Sequence, residues 1–219
     1  LDGNNFSLND QEFKEIELIS KELSPKTLLL FWQFAIKTLS ELEVVSNQNL
    51  SMEMFLIRLL YIKDDVIVEV GSGTGQSLSA IIKNEPKKIF ALEISKTFLT
   101  DLRSNFHDER IEVLGKDAKD LRGFIENETV DKILLINVIY FLNPIKEYLS
   151  EFERILKMNG TILITGKFGP ASKMDKRVFK NTDLSGLLSI LENYFDVSSE
   201  FVDLGEPISQ YHAIKLTKK

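Results

Sequence analysis

The stretch that decides the fold is Val66-Ile67-Val68-Glu69-Val70-Gly71-Ser72-Gly73-Thr74-Gly75. Its first half is a short apolar run rich in β-branched residues, which is typical of a buried strand in a parallel sheet. Its second half turns through three glycines, which predicts a strand-to-helix turn whose backbone comes within contact distance of a ligand. The stretch therefore predicts an α/β fold with a ligand site at the carboxyl edge of the sheet.

The spacing of these glycines distinguishes between kinds of ligand. The dinucleotide pattern that cradles phosphates has glycines at its first, third and sixth positions, whereas the sixth residue counted from Gly71 is Gln76. The Gly-Lys-Ser/Thr signature of a P-loop is also missing after this strand, so hydrolysis of ATP or GTP is not expected. A glycine-rich turn by itself is a weak indicator, and purely conformational glycines remain an alternative.

Further β-rich apolar runs alternate with amphipathic segments, as in a doubly wound parallel sheet. The predicted strands are Val66–Val70, Lys88–Leu92, Ile111–Leu114, Asp131–Asn137, Gly160–Thr165, Val197–Leu204 and Tyr211–Thr217. The predicted helices are Gly75–Asn84, Ser95–Asn105, Lys119–Glu126, Pro144–Met158 and Thr182–Asn193, with Ser95 and Asn143 as N-caps. The short turn between the last two strands predicts a hairpin, so we expect a mostly parallel, seven-stranded, Rossmann-like sheet with an antiparallel last strand.

Residues 1–61 predict a helical cap in front of this domain, which we place at residues 62–219. Ser24 as N-cap and Pro25 at the first helical position start a helix that runs to about Val45. Its apolar side chains recur at helical spacing and include Phe31 and Trp32, which pack in a core or lie across the substrate crevice.

Composition excludes several kinds of function. The 219 residues are 43% hydrophobic and 27% charged, which fits one α/β domain with a small cap. A net charge of -6 favours a small or neutral substrate over nucleic acid. Without cysteine, and with two histidines, neither a thiolate nucleophile nor a metal site is expected. The apolar runs are too short to span a bilayer and no signal peptide is apparent, so we expect a cytoplasmic protein.

Two acidic residues follow the next two predicted strands. Glu93 ends the second strand within Ala91-Leu92-Glu93-Ile94-Ser95, where a carboxylate can bind both hydroxyls of a ribose, in NAD or in an adenosyl compound. Asp117 lies just beyond the third strand, where it can accept the exocyclic amine of an adenine or cap the following helix. An adenosyl ligand accounts for both positions.

Taken in chain order, these segments resemble the motifs of the class I S-adenosylmethionine-dependent methyltransferases. Glu69 to Gly75 resembles their first motif, Glu93 their ribose-binding acid, Asp117-Ala118 their adenine-contacting pair, and Asn137 to Tyr140 their fourth motif. Leu156 to Ile164 is similar to the helix end, glycine turn and fifth strand of the family. The resemblance covers about residues 62–166 and is greatest for the small-molecule branch that includes the ubiquinone and menaquinone biosynthesis methyltransferases.

The resemblance implies S-adenosylmethionine as cofactor, a small-molecule acceptor, and O- or C-methylation, because Asn137-Val138-Ile139-Tyr140 lacks the prolines of a base-amine clamp. A homodimer is compatible with it. The cofactor-binding residues it implies are Glu69, Gly71, Ser72, Gly73, Gly75, Glu93, Ile94, Asp117, Ala118 and Asn137. Glu69 is expected to anchor the loop and the methionine ammonium. Tyr140, which can orient the acceptor, and His212, which can act as a base, are the candidate catalytic residues.

Two other functional classes stay open. A NAD(P)-binding oxidoreductase is disfavoured by Gln76 and by Asp117. A catalytically silent methyltransferase-like fold that serves as a binding or assembly module agrees with the scarcity of catalytic groups. The segment 167–180, after the fifth strand, carries five basic residues against one acid, which indicates either a solvated charge run or a site for an anionic substrate group.

Overall fold

The computed structural model describes residues 65–203 and 210–219. These residues form one seven-stranded sheet in the order β3-β2-β1-β4-β5-β7-β6. The strands are β1 (Val66–Val70), β2 (Lys88–Leu92), β3 (Ile111–Leu114), β4 (Val130–Ile136), β5 (Leu156–Gly166), β6 (Phe195–Asp203) and β7 (Gln210–Lys218). The first five strands pair in parallel, while β7 runs antiparallel to β5 and β6. The predicted sheet and its terminal hairpin are therefore confirmed.

Short helices connect the strands. They are α1 (Leu78–Ile81), α2 (Lys96–Asn105), α3 (Ile145–Ile155), α4 (Phe168–Ala171) and α5 (Leu184–Leu191). Single 3₁₀ turns lie at Ile82–Asn84 and Ile139–Phe141. Of the described helices, none has the length and apolar character that crossing a membrane requires. The predicted cap of residues 1–61, with Phe31 and Trp32, lies outside the described residues, as does the turn at 204–209.

The predicted helix at Lys119–Glu126 is wrong, because the chain forms a series of turns there. Gly123 has a φ of 78° in the middle of the segment, which is incompatible with a right-handed helix. Leu121 and Ile125 are nevertheless buried, so their spacing of four residues reflects burial without helix formation. Periodicity alone does not separate these two cases.

A buried ion pair fixes this segment to α3. The Glu151 carboxylate, 4% exposed, accepts hydrogen bonds from the Leu121 N–H at 2.7 Å and from the Arg154 guanidinium at 2.6 Å. Arg154 also donates to the Ile125 carbonyl at 3.1 Å. Because the segment begins just after β3, this contact holds in place the connection that carries Asp117.

Several helix ends differ from the prediction. The first helix begins at Leu78, because Gly75 has a φ of 79° that a helix excludes. At α3 the N-cap position is Pro144, with extended backbone angles, where Asn143 was expected. That helix ends at Ile155 because β5 begins at the next residue, four residues before the expected strand start.

Candidate functional site

The glycine loop after β1 is packed at two of its three glycines. The φ angles are 70° at Gly71, 53° at Gly73 and 79° at Gly75. A Cβ atom at Gly71 would lie 2.8 Å from Val138, and one at Gly75 would lie 2.3 Å from the Phe106 ring. At Gly73, by contrast, no atom of the described residues lies within 4 Å of the Cβ position. The loop is therefore closed against the protein at its two ends and open at its centre.

The N–H groups of this loop point into the protein. Gly71 and Ser72 both donate to the Leu92 carbonyl, at 2.9 and 3.0 Å. Gly73 donates to Oε2 of Glu93 at 2.9 Å. In loops that cradle a phosphate, successive N–H groups point at the anion. This arrangement disfavours binding of a dinucleotide pyrophosphate at the loop.

Glu93 joins the end of β2 to the glycine loop. Besides the Gly73 N–H, its carboxylate accepts hydrogen bonds from the N–H groups of Ile94 and Ser95, each at 2.8 Å. A carboxylate has about four acceptor positions, so three backbone donors leave room for one ribose hydroxyl. The expectation that Glu93 binds both hydroxyls needs the Gly73 bond to open.

Asp117 lies at the end of the neighbouring strand. The main chain joins the ends of the two strands, since the Glu93 N–H donates to the carbonyl of Leu114 at 3.1 Å. The Asp117 carboxylate accepts from the Lys119 N–H at 3.3 Å, which closes a local turn. Since no helix follows, the alternative role of helix N-cap is wrong. Burial raises the pKa of Tyr148, and the hydrogen bond with Asp117 raises it further.

Side-chain exposure separates the predicted cofactor residues. Ile94 is 72% exposed directly beside Glu93, so its apolar surface is available to a flat ligand. Ser72 and Ala118 are buried within the domain. Contact of these two residues with a cofactor stays a prediction. Because their side chains are buried, such a contact would be made mainly by their backbone atoms.

Glu69 is a buried carboxylate with one unsatisfied oxygen. The Ser77 hydroxyl donates to its Oε1, while Oε2 has no hydrogen-bond partner within the described part of the chain. Burial raises the pKa of Glu69 to about 7, although the Ser77 and Ser72 side chains lower it in part; the nearby charge of Glu93 adds a smaller rise. An ammonium group would give Oε2 the partner that a buried carboxylate requires. The site therefore fits the methionine end of the expected cofactor.

The end of β4 faces the same loop. Asn137 is exposed with a φ of 56°, and its N–H donates to the Thr165 carbonyl at 2.9 Å. The following residue, Val138, packs against Gly71. Tyr140 is 4% exposed, and its ring lies 5.5 Å from that of Phe168. Its burial makes Tyr140 a wall of this edge, and direct contact with an acceptor stays a prediction.

His212 lies at the carboxyl edge of the sheet, as the antiparallel direction of β7 predicts. It pairs with Gly166 of β5 on one side and with Phe201 of β6 on the other. Its half-buried ring packs 5.8 Å from the ring of Phe168 and 5.1 Å from that of Phe201. Burial lowers the pKa of His212, which favours the neutral imidazole that a base requires. His107, the other histidine, is exposed in the connection before β3.

No sequence pattern indicated the phenylalanines around Tyr140 and His212. They come from three segments: the end of β4, the connection after β5, and β6. Phe179 lies within the basic segment 167–180, whose function was interpreted from its charged residues alone. Two of the five cations there have partners, since Lys176 donates to the Thr182 hydroxyl and Arg177 pairs with Asp175 at 2.7 Å.

Two family models match different parts of the chain. Residues 68–164 match the sequence model of a family described as "Methyltransferase domain". Residues 1–68 match the model described as "DNA polymerase III subunits gamma and tau domain III", and nearly all of that match falls outside the described residues.

Two curated relatives and one solved structure illustrate the match. The chain is 38% identical over 101 residues to Ribosomal RNA small subunit methyltransferase A of Persephonella marina, covering 40% of this chain and 38% of that protein. It is 30% identical over 166 residues to the 23S rRNA (cytidine-2'-O)-methyltransferase TlyA of Campylobacter jejuni, covering 70% and 63%. The chain thus spans less than two thirds of either relative. A SAM-dependent methyltransferase from Archaeoglobus fulgidus superposes with a TM-score of 0.63 at 17% identity, covering 82% and 98%.

Replacing Gly75 by Ala should destabilise the fold far more than the same change at Gly73. Both substitutions place an L residue at positive φ, which costs about 1–2 kcal/mol. At Gly75 the new methyl group also overlaps the Phe106 ring, which adds about 1–3 kcal/mol. Urea unfolding of both variants measures the difference. Equal losses of unfolding free energy would contradict the packing described for the loop.

Glu69 should make the folded state less stable as the pH rises. Because the pKa is about 7 in the folded protein against 4.5 for an unperturbed carboxyl, the folded state holds a proton that the unfolded state releases. The stability that Glu69 contributes is therefore fully present below pH 4.5 and is lost as the pH rises through 7, by at most about 3 kcal/mol. The variant Glu69→Gln should lose this dependence between pH 5 and 8 in urea titrations, whereas exposed Glu126→Gln should keep it. Identical pH profiles for Glu69→Gln and the parent would refute the assignment.

Proposed function

We propose that the protein, whose residues 68–164 match a methyltransferase domain model, transfers the methyl group of S-adenosylmethionine to a small-molecule acceptor. The observation that carries the proposal is the pair of carboxylates at the glycine loop. Glu93 is bonded to the N–H of Gly73, and Glu69 keeps an unsatisfied oxygen behind the same loop. A ligand that carries both a ribose and an ammonium group matches this pair, and the open space at Gly73 leaves room for it.

Each part of the cofactor has a residue of this chain to hold it. Oε2 of Glu69 accepts from the methionine ammonium, and the remaining acceptor position of Glu93 takes a ribose hydroxyl. The Asp117 carboxylate accepts from the adenine amine, while the exposed side chain of Ile94 packs on the adenine face. S-adenosylmethionine supplies an activated sulfonium methyl group when bound. The protein therefore has mainly to bind and to orient, which can contribute several kcal/mol to the rate.

The acceptor side of the proposal rests on the residues after β4 and in β7. Asn137 is exposed next to the glycine loop, and Tyr140 forms a wall behind it. His212 takes the proton of a protonated acceptor, such as a phenol, because burial favours its neutral form. A neutral acceptor suits the net charge of -6.

Methylation of RNA is the second candidate function. Two relatives carry names of ribosomal RNA methyltransferases, and the segment 167–180 is basic. Against this, the chain as a whole is acidic, which opposes binding to a phosphate backbone. Two of the five cations in the basic segment are also bonded within the protein. These observations favour the small-molecule acceptor.

Calorimetric titration tests the cofactor proposal. We expect S-adenosylmethionine and S-adenosylhomocysteine to bind and NAD not to bind. Asp117→Ala and Glu93→Ala should each weaken adenosyl binding about tenfold, the value of a lost hydrogen bond to a charged group. Because Glu93 also anchors the glycine loop, Asp117→Ala is the cleaner variant, and exposed Glu126→Ala is the control. Binding of NAD alone, or unchanged affinity in both variants, would overturn the proposal.

Transfer of a labelled methyl group distinguishes the two acceptor classes. The protein is incubated with S-adenosylmethionine labelled in its methyl group, together with either a low-mass metabolite extract or total RNA. Label is expected in the low-mass fraction, with no loss after ribonuclease treatment. The triple variant Lys167→Gln, Lys173→Gln, Lys180→Gln should leave the transfer unchanged. Ribonuclease-sensitive label, reduced in the triple variant, would establish the RNA alternative instead.

A further inference from the structure

The connection between β3 and β4 has no helix of its own and is held by side chains of α3. From Asp117 to Ile125 the chain runs through turns. Two backbone groups of these turns are bonded to α3. The Leu121 N–H donates to Glu151 at 2.7 Å, and the Ile125 carbonyl accepts from Arg154 at 3.1 Å. The position of the connection is therefore fixed to that helix.

Glu151 and Arg154 form an ion pair three residues apart on α3. Arg154 donates to both carboxylate oxygens, from Nε to Oε2 at 2.9 Å and from a terminal nitrogen to Oε1 at 2.6 Å. Burial alone would raise the pKa of Glu151, but the hydrogen bonds from Arg154 and from the Leu121 N–H outweigh burial and lower this pKa. The carboxylate therefore stays charged at neutral pH, as a two-pronged pair with a guanidinium requires.

A third side chain of α3, Tyr148, reaches Asp117 itself. Tyr148, Glu151 and Arg154 are spaced by three residues, which places them on one ridge of the helix surface. The Tyr148 side chain is buried, and its hydroxyl is hydrogen-bonded to the Asp117 carboxylate. This ridge contacts three residues of the connection that are spaced by four: Asp117, Leu121 and Ile125.

The direction of the Asp117 carboxylate decides how well it recognises a purine. A hydrogen bond weakens steeply when the donor, the hydrogen and the acceptor depart from a line. The Asp117 carboxylate also contacts Lys119, whose N–H lies at 3.3 Å and whose ammonium lies at 3.9 Å. Lys119 belongs to the same connection and moves with it. The contacts with α3, in contrast, hold the carboxylate relative to the rest of the domain.

We propose that Glu151, through its pair with Arg154, is a positioning residue for the adenine end of the cofactor. By holding Leu121, the pair keeps Asp117 aimed at the amine on C6 of the purine. The pair thereby gives the site a preference for a 6-aminopurine, and Tyr148 completes the alignment at the carboxylate itself. The inference rests on the proposed function and adds to it the residues that set its base selectivity.

Two ligands measure this preference in calorimetric titrations of the full chain. They are S-adenosylhomocysteine and its analogue whose purine lacks the 6-amino group. The parent protein should bind S-adenosylhomocysteine about tenfold more tightly, the value of a hydrogen bond to a charged acceptor. The readout is the ratio of the two dissociation constants, because a general loss of stability or of cofactor affinity leaves this ratio unchanged.

Three single variants locate the preference. Glu151→Gln should reduce the ratio to below about threefold and leave the affinity for the analogue within about twofold of the parent value. An amide offers one oxygen where the carboxylate offers two, so at least one of the hydrogen bonds to this side chain is lost. Tyr148→Phe removes one hydroxyl group, leaves the ion pair intact, and should reduce the ratio about threefold. The matched control is Glu153→Gln, which changes an exposed carboxylate on the same helix and should keep the parent ratio.

A double variant separates positioning from stability. Glu151→Met, Arg154→Met replaces the pair by apolar side chains of similar volume, which proteins often tolerate without loss of stability. Thermal unfolding should show a stability close to that of the parent. The ratio should nevertheless stay reduced, because neither methionine can bond to the connection. This variant also carries the test if Glu151→Gln does not fold, since an unpaired buried charge is strongly destabilising.

Several outcomes would overturn the inference. They are equal binding of the two ligands by the parent, a parent ratio in either folded Glu151 variant or in Tyr148→Phe, and a reduced ratio in Glu153→Gln. Recovery of the ratio in the double variant would show that the pair acts through stability alone. If S-adenosylhomocysteine does not bind the parent, the proposed function fails. If it binds and the variants keep the parent ratio, only this inference fails.

Discussion

The site depends on the hydrogen bonds that the Glu93 carboxylate accepts. It accepts hydrogen bonds from three backbone N–H groups and thereby fixes the glycine loop to the end of β2. With Gly71 and Ser72 bonded to the Leu92 carbonyl, successive donors of the loop are satisfied inside the protein. Within the described part of the chain, the centre of the loop at Gly73 is open, and the loop does not present a row of N–H donors to an anion.

Burial gives the second carboxylate of the site a different property. The Glu93 carboxylate accepts hydrogen bonds from three donors. The Glu69 carboxylate accepts one from the Ser77 hydroxyl on one oxygen, and its other oxygen has no partner among the described residues. Burial is the main cause of the raised pKa of Glu69. The two acids therefore differ: Glu93 holds the glycine loop, whereas Glu69 is buried with one oxygen that has no hydrogen-bond partner among the described residues.

Much of the cofactor side could be read from the sequence because it is built from local segments. The bounds of β1, β2 and β3 were predicted to the residue, since each is a short apolar run that ends in a glycine or an acid. The helix predicted at Lys119–Glu126 failed because Leu121 and Ile125 are spaced as in a helix but are buried by turns around Gly123. There the hydrogen bond from Leu121 to Glu151, 30 residues away, replaces the helical one.

The sequence by itself determined the sheet, the glycine loop, and the positions of Glu69, Glu93 and Asp117 at the carboxyl edge, because hydrophobic period and turn residues act over a few neighbours. Only the tertiary structure decided what each carboxylate bonds to, and which side chains meet beyond β4. Phe141, Phe168, Phe179 and Phe201 come from three separate segments and pack around Tyr140 and His212. Their proximity depends on strand order and on the register of the hairpin, and neither leaves a local pattern in the chain.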